Sequence, residues 1–134
     1  MKKTALLAAA LLLAAGLAYA AEAAKPAEMS KAMTFEGTII DNQCASQNKA
    51  NLPEFIKTHP KSCALMPNCA ASGYSLYMPD GKLMAFDKES NAKILAFLKK
   101  KSSKLTVVIK ASEVSGELKL ASIKNAPAAK KPAK

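Results

Sequence analysis

The chemistry of this chain is concentrated in five side chains between residues 41 and 69. The chain has one histidine, His59, and three cysteines, Cys44, Cys63 and Cys69, and with Asp41 they give the spacing D-x2-C-x14-H-x3-C-x5-C. One imidazole and three thiolates form a known closed zinc site, and thiolates also suit Cu(I). The pattern therefore predicts a zinc or copper site made by the three cysteines and His59, with Asp41 as a carboxylate bonded to the far ring nitrogen of the histidine.

The same residues permit two other interpretations. Three cysteines in an oxidising compartment can make one disulfide and leave one thiol over. A Cys63–Cys69 disulfide would stabilise the fold by about 2.4 kcal/mol in the chain-entropy estimate, and a disulfide from Cys44 to Cys63 or Cys69 would add about 1 kcal/mol more. These stabilities do not decide which pair forms. In the third interpretation His59 activates one thiol, although no C-x-x-C motif accompanies it. His59 can also simply end a turn beside a proline, and Asp41 can be a local turn former.

The N-terminus has the pattern of an export signal. Two lysines follow Met1, an alanine- and leucine-rich run comes next, and Ala-Tyr-Ala occupies positions 18 to 20. This pattern predicts a signal peptide over residues 1–20 and a periplasmic or secreted mature chain. No later stretch approaches the ~20 apolar residues of a spanning helix, so we expect no membrane span.

Composition sets the domain limits. The formal net charge is +10, and part of it lies in Ala/Pro/Lys-rich segments at both ends. Segments of this composition lack apolar periodicity, so we expect a flexible linker over residues 21–33 and a disordered tail over residues 125–134. Residues 34–124 remain, and we expect them to form one small domain. A metal or a disulfide would supplement the modest core of a domain of this size.

Several functions lack the residues they need. A single histidine excludes blue copper sites and zinc hydrolase sites with three histidines. No glycine-rich phosphate loop is present, and aromatic residues, which stack on bases in nucleic-acid platforms, are few. We therefore expect a protein that is not an enzyme and has no nucleic-acid partner.

Hydrophobic periodicity predicts the elements that must position the five side chains. Alternation predicts strands at 34–41, 104–110 and 117–123 and a hairpin at 74–86, whereas residues 87–101 switch to helical spacing with Asp87 or Ser90 as cap. The connection that carries the cysteines predicts a short helix at 51–58, which Pro60 ends at His59. The order matches a mainly β fold, a small five-stranded OB-like barrel with one helix between strands 3 and 4 and a long Cys-rich loop after strand 1.

Five stretches of the chain resemble a known group of proteins. They are "GTIIDNQC" (37–44), "HPKSC" (59–63), Cys69 followed by "SGYSL" (72–76), "FD" (86–87) and "LASI" (120–123). The chain resembles a family of small exported bacterial proteins of uncharacterised function with a D-x-x-C, H-x3-C, C and G-Y-x-L pattern on an OB-like barrel. The resemblance implies that Asp41, Cys44, His59, Cys63 and Cys69 form one shared constellation, and it implies no activity.

The expected function is thus an exported metal-binding protein, in which zinc would fix the long loop or copper would be stored, delivered or sensed. The alternative is a disulfide-stapled module that docks an envelope protein or an acidic surface. A thiol count distinguishes the two, because a metal site needs its cysteines reduced.

Overall fold

A computed structural model describes residues 31–127, so the predicted signal peptide and most of both predicted tails lie outside the described residues. The elements in chain order are β1 (Met33–Asp41), α1 (Asn42–Gln47), a 3-10 turn (Lys49–Asn51), α2 (Leu52–Thr58), α3 (Lys61–Ala64), α4 (Pro67–Ala71), β2 (Tyr74–Tyr77), β3 (Leu83–Ala85), α5 (Lys88–Leu98), β4 (Thr106–Val114) and β5 (Glu117–Asn125). Every predicted strand is present, and α5 lies between β3 and β4 as expected. In the part of the chain that the structure describes, no helix has the length and apolar character needed to cross a membrane.

The five strands form one antiparallel sheet in the order β3-β2-β1-β4-β5. β1 is central because it pairs with β2 on one side and with β4 on the other. Gly37 permits the close approach to β2, since a Cβ at this position would lie on the carbonyl oxygen of Tyr77. β5 runs to Asn125, and the amide of Ala126 still bonds to Thr106 at 3.0 Å, so the ordered chain extends past the predicted domain end at 124.

The sheet does not close into the predicted barrel. The two outer strands do not pair along their length, since β3 has three residues and β5 has nine. Phe86, just after β3, makes one isolated parallel bridge with Leu118 of β5. The start of α5 covers the edge of β5 instead, where the amide of Leu120 donates to Ser90 Oγ at 2.7 Å. The fold is therefore an open five-stranded antiparallel sheet with helices.

The connection predicted as a long Cys-rich loop is largely helical. It contains α1 to α4, of four to seven residues each. The predicted helix at 51–58 is present as α2, with Pro53 in its first turn, where a missing amide hydrogen costs nothing. The two ends of the connection meet, since the amide of Asn42 donates to the carbonyl of Gly73 at 2.9 Å.

Alternation along β1 divides the interior into two apolar clusters. Ile39 belongs to the larger cluster, which also contains Ile94 and Leu98 of α5. Ile40 points the other way, into a smaller cluster with Leu52 and the buried cysteines. Of the two predicted caps, Asp87 starts α5, because its side chain accepts from the amide of Ser90 at 2.8 Å. The sheet and α5 thus make the main core, and the short helices lie over the small one.

Candidate metal centre

Asp41 is the fully buried last residue of β1 and the cap of α1. Its Oδ1 accepts a 2.8 Å hydrogen bond from the amide of Cys44. A carboxylate at this position satisfies an otherwise unpaired amide of the first helical turn. The bond fixes the carboxyl group, so its second oxygen, Oδ2, points to the site with a set orientation.

His59 follows α2 and faces that second oxygen. Pro60 forces an extended backbone at His59 (φ −65°, ψ 114°), so α2 ends there as predicted. The imidazole packs against the ring of Phe55, with ring centroids 5.3 Å apart. Its Nε2 lies 3.2 Å from Asp41 Oδ2, and both side chains are almost completely buried.

The two thiols that join this pair come from different short helices. Cys44 lies in α1 and is buried, whereas Cys63 lies in α3 and is half-buried. Their sulfur atoms are 3.7 Å apart. This separation is well beyond the ~2.05 Å of a disulfide bond.

Three polar atoms at this place have no hydrogen-bond partner within the described residues 31–127. They are Asp41 Oδ2 and both ring nitrogens of His59. The 3.2 Å contact between Nε2 and Oδ2 is close enough for an ion pair but lacks hydrogen-bond geometry. Because unpaired buried polar atoms each cost about 1–3 kcal/mol, an arrangement that leaves three together indicates that another group pairs with them.

The four side chains can hold one metal ion. One ligand atom from each of Asp41, Cys44, His59 and Cys63 lies within 4.8 Å of the other three. Four ligands placed tetrahedrally 2.0–2.3 Å from zinc are about 3.3–3.8 Å apart. The distance of 3.7 Å between the Cys44 and Cys63 sulfur atoms lies in this range. The distance of 3.2 Å between His59 Nε2 and Asp41 Oδ2 lies just below it.

Cys69, predicted as a ligand, is not one of the four residues that converge. It is buried in α4 and packs in the same apolar cluster as Cys44 and Cys63. Asp41, predicted to stand behind the histidine, instead offers an oxygen of its own. Metal ligation by Cys69 and a Cys63–Cys69 disulfide stay predictions, and all three cysteines are free thiols in the structure.

The electrostatics favour protonated Cys44 and Cys69 thiols in the metal-free protein. Burial raises the pKa of the Cys44 thiol far above its usual value, and the neighbouring Asp41 carboxylate and Cys63 thiol raise it further. Burial also raises the pKa of Cys69, with the charge of Asp41 acting in the same direction. A nucleophilic cysteine needs the opposite shift, so these directions give no support to a reactive thiol activated by His59.

Two residues that hold the site were missed by the sequence analysis. The Tyr74 hydroxyl donates to the carbonyl of Ala64 at 2.8 Å, next to Cys63. Lys61, between His59 and Cys63, bonds to backbone oxygens at the end of α5. Tyr74 falls in the predicted hairpin at 74–86 and Lys61 has no predicted role, because neither residue type carries a signal for a contact with a distant carbonyl.

Comparison of the chain with protein-family models, with curated proteins and with solved structures gives no match. The resemblance to small exported bacterial proteins therefore stays a prediction.

Proposed function

We propose that this protein is an exported, non-enzymatic zinc-binding protein. Asp41, Cys44, His59 and Cys63 would hold the ion, which would have a structural role. The observation that carries the proposal is the convergence of these four ligand atoms within 4.8 Å, with a carboxylate oxygen and an imidazole unpartnered and buried among the described residues. The predicted signal at residues 1–20 supports export.

The donor set favours zinc over other ions. Two thiolates, one imidazole and one carboxylate oxygen are all ligands that zinc accepts in tetrahedral sites. Because Asp41 Oδ1 is already bonded to the amide of Cys44, the carboxylate has one oxygen to give, which suits four-coordination. Calcium needs 6–8 oxygen ligands and magnesium an octahedron, which this set does not supply.

A structural role follows from burial of the candidate ligands. Three of the four are buried and only Cys63 is partly exposed, so the site resembles a closed centre more than one that keeps a position open for substrate. The ion would link the end of β1 to α1, α2 and α3. It would thereby fix a segment that packs on only a small apolar cluster.

Copper is the second candidate because Cys69 lies beside the site. Cu(I) prefers soft thiolates, and a shift from the Asp41 carboxylate to Cys69 would give the predicted set of three cysteines and one histidine. Storage or delivery of copper would then replace the structural role.

The decisive experiment measures metal content and ligand identity together. Protein isolated from the periplasm without added metal is examined by native and denaturing mass spectrometry, elemental analysis and thiol titration. The expected result is one equivalent of zinc, three titratable thiols after denaturation, and a mass that begins near Ala21. No metal, a mass two protons light and a single free thiol would overturn the proposal in favour of the stapled module.

Two matched variants separate the ligand sets. Asp41→Asn keeps a side chain that can cap α1 but removes the anionic oxygen, and Cys69→Ala removes the fifth candidate. If zinc uses the four converging residues, Asp41→Asn weakens zinc binding by at least about 100-fold, whereas Cys69→Ala leaves it within about threefold. A large loss of affinity in Cys69→Ala, with a loss of about 10–100-fold in Asp41→Asn, would assign the site to three cysteines and one histidine, in which Asp41 only orients His59.

A further inference from the structure

The two candidate ligands His59 and Cys63 are joined by a segment that cannot hold its own shape. Pro60 is extended and α3 has only four residues, with no side-chain hydrogen bond capping its start. Isolated helices of this length do not form in water. The positions of the imidazole and the Cys63 thiol must therefore be set by contacts between this segment and the rest of the protein.

The most extensive of these contacts is made by Lys61, midway between the two ligands. Its ammonium group donates to the carbonyl oxygens of Lys100 (3.0 Å), Lys101 (3.3 Å) and Ser103 (3.0 Å). It also lies 3.1 Å from Ser103 Oγ. Four oxygens thus surround a group that has three hydrogen atoms to donate.

The receiving end of this contact is rigid and electrostatically suited to a cation. Ser103 is buried, and its hydroxyl oxygen lies within hydrogen-bond distance of the carbonyls of Leu98 (3.0 Å) and Lys100 (2.7 Å), which share its one hydrogen. Leu98 is the last residue of α5, and the three carbonyls that accept from Lys61 lie in the turn that follows it, next to the negative end of the helix dipole. Leu98 itself is fully buried in the main core, so Lys61 connects the metal segment to the best-packed part of the fold.

We propose that Lys61 is a positioning residue for the metal centre. By fixing α3 against the end of α5, it holds His59 and Cys63 where both can reach the same ion as Asp41 and Cys44. This inference rests on the proposed function. Groups that orient metal ligands without touching the metal typically change affinity by about 10–100-fold when they are removed.

The test compares Lys61→Met with Lys100→Met. Methionine keeps an unbranched side chain but removes the donors of Lys61. Lys100→Met removes the same charge from the same surface, while the Lys100 carbonyl that accepts from Lys61 remains. Zinc affinity is measured by competition with a chelating dye, in buffer where urea unfolding curves show every variant fully folded.

We expect Lys61→Met to weaken zinc binding about 10–100-fold and Lys100→Met to change it less than about twofold. Co²⁺ in place of zinc gives an independent readout. In Lys61→Met, saturating Co²⁺ should give the wild-type thiolate-to-cobalt absorption per bound ion, because the ligands are the same and only their positioning is worse. A purely structural role for Lys61 would lower urea resistance and leave the affinity of the folded protein unchanged.

The possible outcomes are distinguishable. If wild-type protein binds no zinc, the proposed function fails and this inference falls with it. If wild type binds zinc and Lys61→Met binds it within about twofold, only the positioning role is overturned. Should Lys61→Met fail to fold, Ser103→Ala decides: affinity weakened more than about threefold supports the positioning role, and an unchanged affinity contradicts it.

Discussion

The sheet with α5 and the helical connection at 42–73 are stabilised by different means. The sheet region buries a continuous apolar cluster in which Ile39, Leu76 and Ile94 are completely inaccessible. The helical connection packs on a small cluster that includes two buried cysteines. Beside this cluster, Asp41 Oδ2 and both ring nitrogens of His59 are buried without a partner among residues 31–127. The first region is thus built on apolar packing, whereas the second combines a small apolar cluster with unpaired polar atoms.

The largest expected effect on stability comes from a cavity in the main cluster, and its effect on zinc affinity tests whether the two clusters are independent. Ile94→Ala leaves a cavity under α5 and should destabilise the protein by about 2–5 kcal/mol in urea unfolding. The folded variant should keep wild-type zinc affinity, because Ile94 belongs to the main cluster and the candidate ligands border the other one. In contrast, Leu52→Ala in the small cluster should weaken zinc binding. Equal zinc affinities for the two variants would argue against the division.

Zinc itself should act mainly on the helical connection. At a free concentration about 1,000-fold above Kd, zinc should raise the free energy of unfolding by about 4 kcal/mol. Hydrogen exchange followed by mass spectrometry should show the largest gain in protection within 42–73, with smaller gains in β1 and β4. His59→Ala serves as control and should show no gain. Uniform protection would mean that the two regions open as one unit.

Tyr74 links the two regions through its bond to the Ala64 carbonyl, and its ionisation should make the free energy of unfolding depend on pH in the alkaline range. Burial raises the pKa of Tyr74 to about 12 from its ordinary value of 10.0, with the charge of Asp41 as a further cause. This displacement corresponds to about 2.7 kcal/mol, which solvent screening reduces to about 1–2 kcal/mol. Because the folded pKa lies above the unfolded one, this stability is present below pH 10 and is lost as pH rises towards 12.

Tyr74→Phe tests this assignment in metal-free protein. At pH 8 the variant should be less stable by about 1–2 kcal/mol, since the Ala64 carbonyl loses its donor. Between pH 10 and 12 the wild type should lose its advantage, and urea unfolding at several pH values would follow the difference. A constant difference would show that Tyr74 does not titrate with folding.

The smallest effect concerns only the sheet region. Burial opposes ionisation of Asp87, but hydrogen bonds from Ser90 outweigh it, and the net effect lowers the pKa of Asp87. Asp87→Ala removes the cap of α5 and should cost about 1 kcal/mol at pH 7. Since a lowered folded pKa stabilises only above the unfolded value of 3.8, the difference should shrink as pH falls below 4.

Asp87→Asn provides the control, because it keeps a capping oxygen without the charge. Its stability relative to wild type should change with pH as that of Asp87→Ala does, because both variants lack the titrating carboxyl group, but its loss of stability at pH 7 should be smaller. Zinc affinity at pH 7 should be the same in both variants. A change in zinc affinity would mean that the start of α5 also controls the metal centre.

Sequence reasoning worked best where local patterns dominate. Alternation predicted the strands, and Asp87 with helical spacing predicted α5, because these signals depend on residues a few positions apart. The site was predicted from residue types, and the structure brings Asp41, Cys44, His59 and Cys63 together. Barrel closure failed because it depends on whether β3 can pair with β5, and the three-residue length of β3 is not visible in the pattern.

The contacts of Lys61 were unpredictable for a different reason. Its acceptors are backbone carbonyls about 40 positions away in the sequence. Every residue has such a carbonyl, so no residue type marks the acceptor. Likewise, the choice between Asp41 and Cys69 as a ligand depends on a few ångströms of tertiary placement.

The central position of β1 has a kinetic consequence. Pairing of Gly37 with Val107 joins positions roughly 70 residues apart, and chains dominated by such distant pairings fold slowly. Ile40 of β1 belongs to the small cluster with the three cysteines, so slow docking of β1 would delay the burial of the thiols. In the oxidising compartment we propose, a newly exported chain would therefore pass through an interval in which zinc capture competes with disulfide formation, and the supply of zinc during folding would decide which form accumulates.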